Sequence, residues 1–279
     1  MIEIEQLSRR VEQIILQHGR RGMGRVYEAM RPGYCVRAAR MILDNIGVTL
    51  IGTGFPVGCG YESDGPIGAL AIYKVLEVLG GRPIIVCAPP LSTTLSTAFT
   101  TYEIPVSDVD TSKRLAKQAL ASLEPKLVVS IEMPGQARDG RYYNMHKQDI
   151  SDTAPKFDYF ITEAACPTIC FGDGGNEVGM GNIITALSAI DIVPCVTRCE
   201  ELVIASVSNW GVYGVIAMLS ALTKKDLLSI IDPESTAEFL IANGCVDGIT
   251  VRPDMSEDGF PIHVGMSIIA QLRALVCNL

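Results

Sequence analysis

The chain has 279 residues, with 31 Asp and Glu against 23 Lys and Arg and a formal charge of -8. That balance argues against a nucleic-acid binder, which presents a basic face. Hydrophobic residues make up 48% and charged residues 19%, which excludes a disordered chain.

The first run, through about Gln17, puts Leu7, Val11, Ile14 and Ile15 on one helical face. It has no continuous apolar core and is not a signal peptide. HGRRGMGR (18–25) is a basic, glycine-bearing connector. VRAARMILDN (36–45) reads as a helix stopped by Gly47, and VTLIG (48–52) as a strand. A glycine-rich loop runs to Gly65, and Pro66 sits where a first-turn proline belongs. The helix it starts ends at Gly80-Gly81, and IIVCA (84–88) is the next strand.

A helix is expected from Leu91 to about Thr101, then a short strand near Ile104. Asp110 is the expected cap of the helix TSKRLAKQALASLE (111–124). LVVSIE (127–132) and TICFGD (168–173) read as strands, each followed by a polar loop. The second loop leads into a helix from near Gly181 to about Ile190. IVPCV (192–196) and LVIAS (202–206) read as further strands, VSNWG (207–211) as a loop and VYGVIAMLSAL (212–222) as a buried helix. The charge-free stretch from Leu202 to Thr223 is long enough for a membrane span, but Ser206, Ser208 and Asn209 interrupt it. Asp232-Pro233 starts a helix that Gly244 ends, and IHVGMSIIAQLRALV (262–276) closes the chain as a helix.

Strands alternating with helices at this spacing imply a three-layer α/β fold: a mostly parallel central sheet with helices on both faces. Residues 1–279 are expected to form one such unit, with residues 1–45 as a helical appendage. Nine cysteines, odd in number and without nearby histidines, read as buried free thiols of a cytoplasmic protein.

Ligands of such folds bind at the carboxyl ends of the strands. Three loops there combine glycine with carboxylates. The first (52–66) holds Glu62 and Asp64, although Asp64 also suits a simple helix cap. The second (131–140) holds Glu132 at a strand end, then Arg138 and Asp139, although Asp139-Gly140 also suits an ordinary turn. The third (172–182) places Asp173, Asn176 and Glu177 within five residues, around the tight turn of Gly174 and Gly175. Helix amides near Gly181 would suit a substrate carboxylate or phosphate. Packed together, the six carboxylates would repel unless a proton or a cation neutralised them. All-oxygen ligands suit Mn2+ or Mg2+. No dinucleotide fingerprint, P-loop or G-x-S-x-G elbow occurs. Of His18, His146 and His263, only His146 lies near one of these loops.

The runs GTGFPV, YESDGPIGA, IEMPGQARDGRYYNM with DIS, GDGGNEVGMGN and SNWGVYG resemble the D-glutamate cyclase family, in its C-terminal catalytic-type domain. Their order is kept from about residue 50 to residue 215. The resemblance implies a hydro-lyase that converts D-glutamate to 5-oxo-D-proline and water with a divalent cation, Mn2+ or Mg2+. It implies Glu62, Glu132 and Glu177 as catalytic carboxylates. It implies Asp64, Asp139, Asp173, Asn176 and Glu177 as metal ligands. Arg138, Asn144, Asn209 and Trp210, with Gly174 and Gly175, follow as substrate contacts, Arg138 taking the α-carboxylate. Two positions depart from the family pattern: Met133 and His146 stand where arginine is common. Longer members carry a separate N-terminal domain that these residues do not include.

The same residues suit two other classes: a metal-dependent hydrolase or phosphatase acting on a small metabolite, and a non-catalytic amino-acid or metal-binding module. In each case the expected partner is a small molecule, not nucleic acid or membrane, with a homo-oligomer left open.

Overall fold

The computed structural model describes residues 2–276 except Arg20. Cys277, expected as one of the free thiols, lies outside the described residues. In chain order the elements are α1 (Ile2–Ile15), α2 (Met23–Val26), α3 (Tyr34–Asp44), β1 (Val48–Thr53), β2 (Pro56–Val57) and β3 (Gly60–Tyr61). Then come α4 (Pro66–Val78), β4 (Arg82–Cys87), α5 (Leu91–Leu95), β5 (Thr101–Glu103), α6 (Val109–Leu123) and β6 (Leu127–Ile131). They are followed by α7 (Asp158–Thr162), β7 (Thr168–Gly172), α8 (Ile184–Leu187), β8 (Glu201–Ile204) and α9 (Ser208–Thr223). The chain ends with α10 (Pro233–Ala242), β9 (Ser256–Glu257), β10 (Phe260–Pro261) and α11 (Ile262–Val276).

The strand sequences LVVSI and TICFG are continuous apolar runs, and every residue of β6 and β7 is buried. Burial on both faces is what a parallel sheet covered by helices requires. The sheet order is β5-β4-β1-β6-β7-β8, and every pairing is parallel. The fold is the three-layer α/β arrangement expected. From β1 the chain winds outward through β4 to β5. It then returns to β6 on the other side of β1 and winds outward again. The reversal lies between β1 and β6, whose last residues Thr53 and Ile131 are paired. A crevice opens at the carboxyl ends of two such strands, so the winding itself dictates where a ligand can sit.

The charge-free stretch after β8 is explained by α9. This helix is buried from Ser208 through Ser220 and packs against α1, α3, α4 and α11. A helix that is apolar all round belongs inside. Among the described residues no helix is long and apolar enough to cross a membrane. The N-terminal segment is built into the same layer rather than appended to it: Leu7, Val11 and Ile15 are buried, and α1 packs on α3, α9 and α11. Glu12 on α1 is buried too, and accepts hydrogen bonds from the backbone N–H groups of Gly33 and Cys35.

Local departures have local causes. Ile192–Val196 is not a strand: Pro194 has no N–H to give a ladder, and the segment makes only an isolated bridge between Cys195 and Ala137. Asp110 lies inside the first turn of α6, and Asp108 caps it by accepting from the Thr111 N–H. The helix from Leu91 stops at Leu95. The one from Gly181 is a short 3-10 turn followed by Ile184–Leu187 alone. Ser208, Asn209 and Trp210 are the first turn of α9, not a loop.

Candidate active site

Strand ends converge at the reversal. After β1 the chain makes the β2–β3 hairpin and delivers Glu62 and Asp64 just ahead of α4. Glu132 is the residue after β6, and Asp173 the residue after β7. Glu132 has φ 48°, a left-handed conformation that costs a non-glycine residue energy and clusters at functional sites. Gly65 has φ 92°, and a Cβ there would lie 2.9 Å from Glu132 Cβ and 2.8 Å from Thr53 Oγ1. Only glycine lets the first and second loops close on each other.

Asp64, Glu132 and Asp173 are buried, and each offers an oxygen within 4.8 Å of the other two. Their partners differ. Asp64 accepts from the N–H groups of Gly65 (2.9 Å), Asn209 (2.8 Å) and Ser208 (2.9 Å). It therefore holds the N-terminus of α9, where the helix dipole favours a negative charge. Glu132 accepts from Ser208 Oγ at 2.5 Å. Asp173 Oδ1 accepts from Arg21 Nη1 at 2.6 Å, while its buried Oδ2 has no donor.

Burial pushes all these carboxyl groups upward, because the interior disfavours their charge. Asp64 rises to about 6, through burial and then the Glu257 charge, against the pull of the α9 amides. Asp173 rises to about 8, burial outweighing the help of Arg21. Glu62 is pushed well up by burial and then by Asp64, and Glu132 by burial and then by Glu177 and Asp173. Burial works against the Arg21 charge, but Asp173, Glu132, Glu62 and Glu177 more than offset it and raise its pKa.

Three buried carboxylates, one of them with an orphaned oxygen, fit a divalent cation. A cavity of about 310 Å³ reaches the cluster at Glu132, with Glu62 and Arg21 also in its wall, while Asp64 and Asp173 lie buried behind it. Phe55, Pro56 and Val57 line it from the β2 side, and Gly248 and Val251 from the C-terminal segment. A Cβ at Gly248 would overlap Glu62 Oε2, so glycine there makes room for that carboxylate.

The other expected site residues divide. Asn144, Asn176 and His146 reach the cavity wall. Asn176 donates to the Tyr143 carbonyl at 3.0 Å. Glu177 is buried beside the cluster, and its two oxygens accept from the N–H groups of Gly174 (2.8 Å) and Gly175 (2.6 Å). Those amides shape the loop around Glu177 instead of facing a ligand. The amides near Gly181 are also spent: the Gly181 N–H donates to Thr197 and that of Asn182 to Gly179.

Arg138 and Asp139 are not brought to the cleft. Both are exposed, and Asp139 bonds to Tyr143 and to the Arg141 N–H. Asn209 and Trp210 are fully buried and absent from the cavity wall. Asn209 Oδ1 holds the N–H groups of Gly65 and Gly68, and both residues donate to Glu257. Met133 is buried and His146 is exposed at the rim, so neither supplies a guanidinium.

Three residues escaped the sequence reading. Arg21 comes from the basic connector after α1 and pairs with Asp173 and Asp258. Glu257 is buried and pushed up to about 7, by burial against the pull of Trp210 and Asn209. Asp258 has φ 52° and turns the β9–β10 hairpin beside it. The one signal in the sequence is for Arg21, in the dense basic stretch HGRRGMGR, and nothing in it says where that stretch packs.

A family model described as D-glutamate cyclase-like, C-terminal, matches residues 11–273. The chain belongs to this family. Human mitochondrial D-glutamate cyclase is 26% identical over 317 aligned residues, covering 94% of this chain and 50% of the human protein. The chain thus spans about half the length of that D-glutamate cyclase. Among solved structures, an exopolyphosphatase-related protein from Bacteroides fragilis aligns at 11% identity and a TM-score of 0.43. That alignment covers 89% of this chain and 61% of the other, and is too loose to carry an argument.

Proposed function

We propose that the chain is a divalent-metal-dependent lyase that closes D-glutamate to 5-oxo-D-proline with loss of water. The observation that carries this reading is the Asp64, Glu132 and Asp173 cluster with its orphaned Oδ2, at the switch-point crevice of a D-glutamate cyclase-like chain. These three residues would hold the cation, Mn2+ or Mg2+. When bound, it supplies polarisation of the γ-carboxylate and a countercharge for the departing oxygen.

The reaction joins the α-nitrogen to the γ-carboxyl carbon and breaks one carbon–oxygen bond. Starting from ammonium and carboxylate, two protons move from nitrogen to the oxygen, which leaves as water. Glu62 is placed for that relay: it faces the cavity beside the cluster, and burial makes its carboxylate basic enough to take a proton and return it. Glu132 is held in place by the Ser208 hydroxyl. Glu177, tied to its own loop amides, sets the shape of the third loop. A reducing compartment is the setting that suits the nine cysteines.

The test is incubation of purified protein with D-glutamate and Mn2+, followed by chromatography of 5-oxoproline, beside calorimetric titration of Mn2+ alone. Turnover that EDTA abolishes, with saturable Mn2+ binding, is expected. Absence of both Mn2+ binding and 5-oxoproline would sink the reading.

A further inference from the structure

A ligand with a carboxylate needs a cation that faces it. Among the described residues lining the cavity, Arg21 is the one Lys or Arg. Its side chain keeps 19% exposure while two acids clamp it from different parts of the chain. Nη1 binds Asp173 at 2.6 Å, and Nη2 binds Asp258 on the β9–β10 turn. A guanidinium has five N–H donors in a planar fork, and these two pairs use opposite terminal nitrogens. The fork is therefore held in orientation while further N–H groups remain for a ligand. The cavity of about 310 Å³ suits a small amino acid with a few waters.

We propose that Arg21, positioned by Asp258, is the specificity-determining residue that receives the ligand's carboxylate, so that the site selects small carboxylate-bearing molecules. On the lyase reading, on which this assignment of the group rests, it takes the α-carboxylate while the γ-carboxylate meets the acid cluster. The role expected of exposed Arg138 passes to Arg21.

The test compares D-glutamate with its α-carboxamide on the full chain with Mn2+, by calorimetry and by kcat and KM, in wild type, Arg21→Gln, Arg21→Lys and Asp258→Asn. Wild type is expected to prefer the free carboxylate by about tenfold or more, the scale of a lost charge-assisted hydrogen bond. Arg21→Gln is expected to lose that preference, Arg21→Lys to keep part of it, and Asp258→Asn to weaken it with the Mn2+ titration preserved. A purely structural arginine would lower both ligands equally, so an unchanged preference ratio in Arg21→Gln overturns the proposal. If Arg21→Gln does not fold, the ratio in Asp258→Asn and Arg21→Lys decides, and an unchanged ratio in both again overturns it. If wild type neither binds nor converts D-glutamate, the lyase reading fails separately. Titration with glutarate, succinate and 5-oxoproline then decides: Arg21-dependent binding of any of them upholds the proposal, and binding of none ends it.

Discussion

Two sets of buried carboxylates occur in this molecule, and they are built differently. Glu12 and Asp158 are enclosed by donors. Glu12 accepts from Ser8, Tyr27, Gly33 and Cys35. Asp158 accepts from Gln136 N–H, Tyr142 OH and Thr197 Oγ1. At the crevice Asp173 Oδ2 has no donor although Oδ1 is paired with Arg21, and the acids Asp64 and Glu132 lie within 4.8 Å. Burial raises the pKa in both places. Burial alone is therefore no mark of a site. The mark is an acid left short of donors among like charges, because only a proton or a cation from outside completes it.

The sharpest way to break this contrast is to delete one acid of each kind. Asp158→Ala strands three donors, two of them buried, and should cost about 3 kcal/mol of stability, read by urea denaturation, with Mn2+ binding retained by the folded fraction. Asp173→Ala should lower activity and Mn2+ affinity by about 100-fold or more, since even outer-shell changes at metal sites cost 10–100-fold. If Asp173→Ala bound Mn2+ like wild type, the contrast would have no functional meaning. Within the crevice, Glu62→Gln should slow turnover by about 100-fold or more, the range of a lost general acid–base. Its Mn2+ titration should change little, which separates a proton relay from a ligand.

A weaker handle is pH. The folded values of Asp64 (about 6), Glu257 (about 7) and Asp173 (about 8) all lie above the ordinary carboxylate range. The native state then binds more protons than the unfolded chain, so stability falls as pH rises. Metal-free protein should lose thermal stability from about pH 5 to about pH 8. Mn2+ should flatten that slope, because it replaces the missing protons. The measurement is Tm against pH with EDTA or Mn2+, and a Tm that climbs through this window in EDTA would contradict the charge arrangement.

Much of this was legible in the chain. The alternation of apolar runs with helical periods gave the sheet, and the three glycine-rich loops gave Glu62, Asp64, Glu132 and Asp173, because a carboxylate at a buried strand end has no ordinary structural reason. Arg138 and Asp139 misled because proximity in sequence to Glu132 says nothing about which way the loop leaves the sheet. They lie on an exposed turn. Arg21, Glu257 and Asp258 were invisible for the opposite reason. They come from the two ends of the chain, and only tertiary packing of α1 and the β9–β10 hairpin sets them beside the switch point. Asn209 and Trp210 belong to a motif whose work is to hold Glu257 and the start of α4.

The smallest expected effect concerns two aspartates that both hold helix N-termini. Asp232 was readable from Asp-Pro alone. It caps its own helix α10, accepting from the Ser235 N–H at 3.1 Å and its hydroxyl at 2.8 Å. Asp64 looked like the same device for α4, yet it caps α9, a helix more than a hundred residues away in sequence. The N-cap of α9 is Val207, which has no polar side chain to cap with, so Asp64 fills that role from outside. A local cap can be lost without consequence elsewhere. Asp232→Ala should cost about 1 kcal/mol and leave turnover and Mn2+ binding unchanged. Asp64→Asn should do the reverse in proportion: a limited loss of stability, since the amide oxygen can still accept from Gly65 and Asn209 while the Ser208 N–H loses its acceptor, but a steep loss of Mn2+ affinity. If the two variants moved stability and Mn2+ affinity in the same ratio, Asp64 would be a cap and nothing more. The position of α9 would then be what the acid cluster serves.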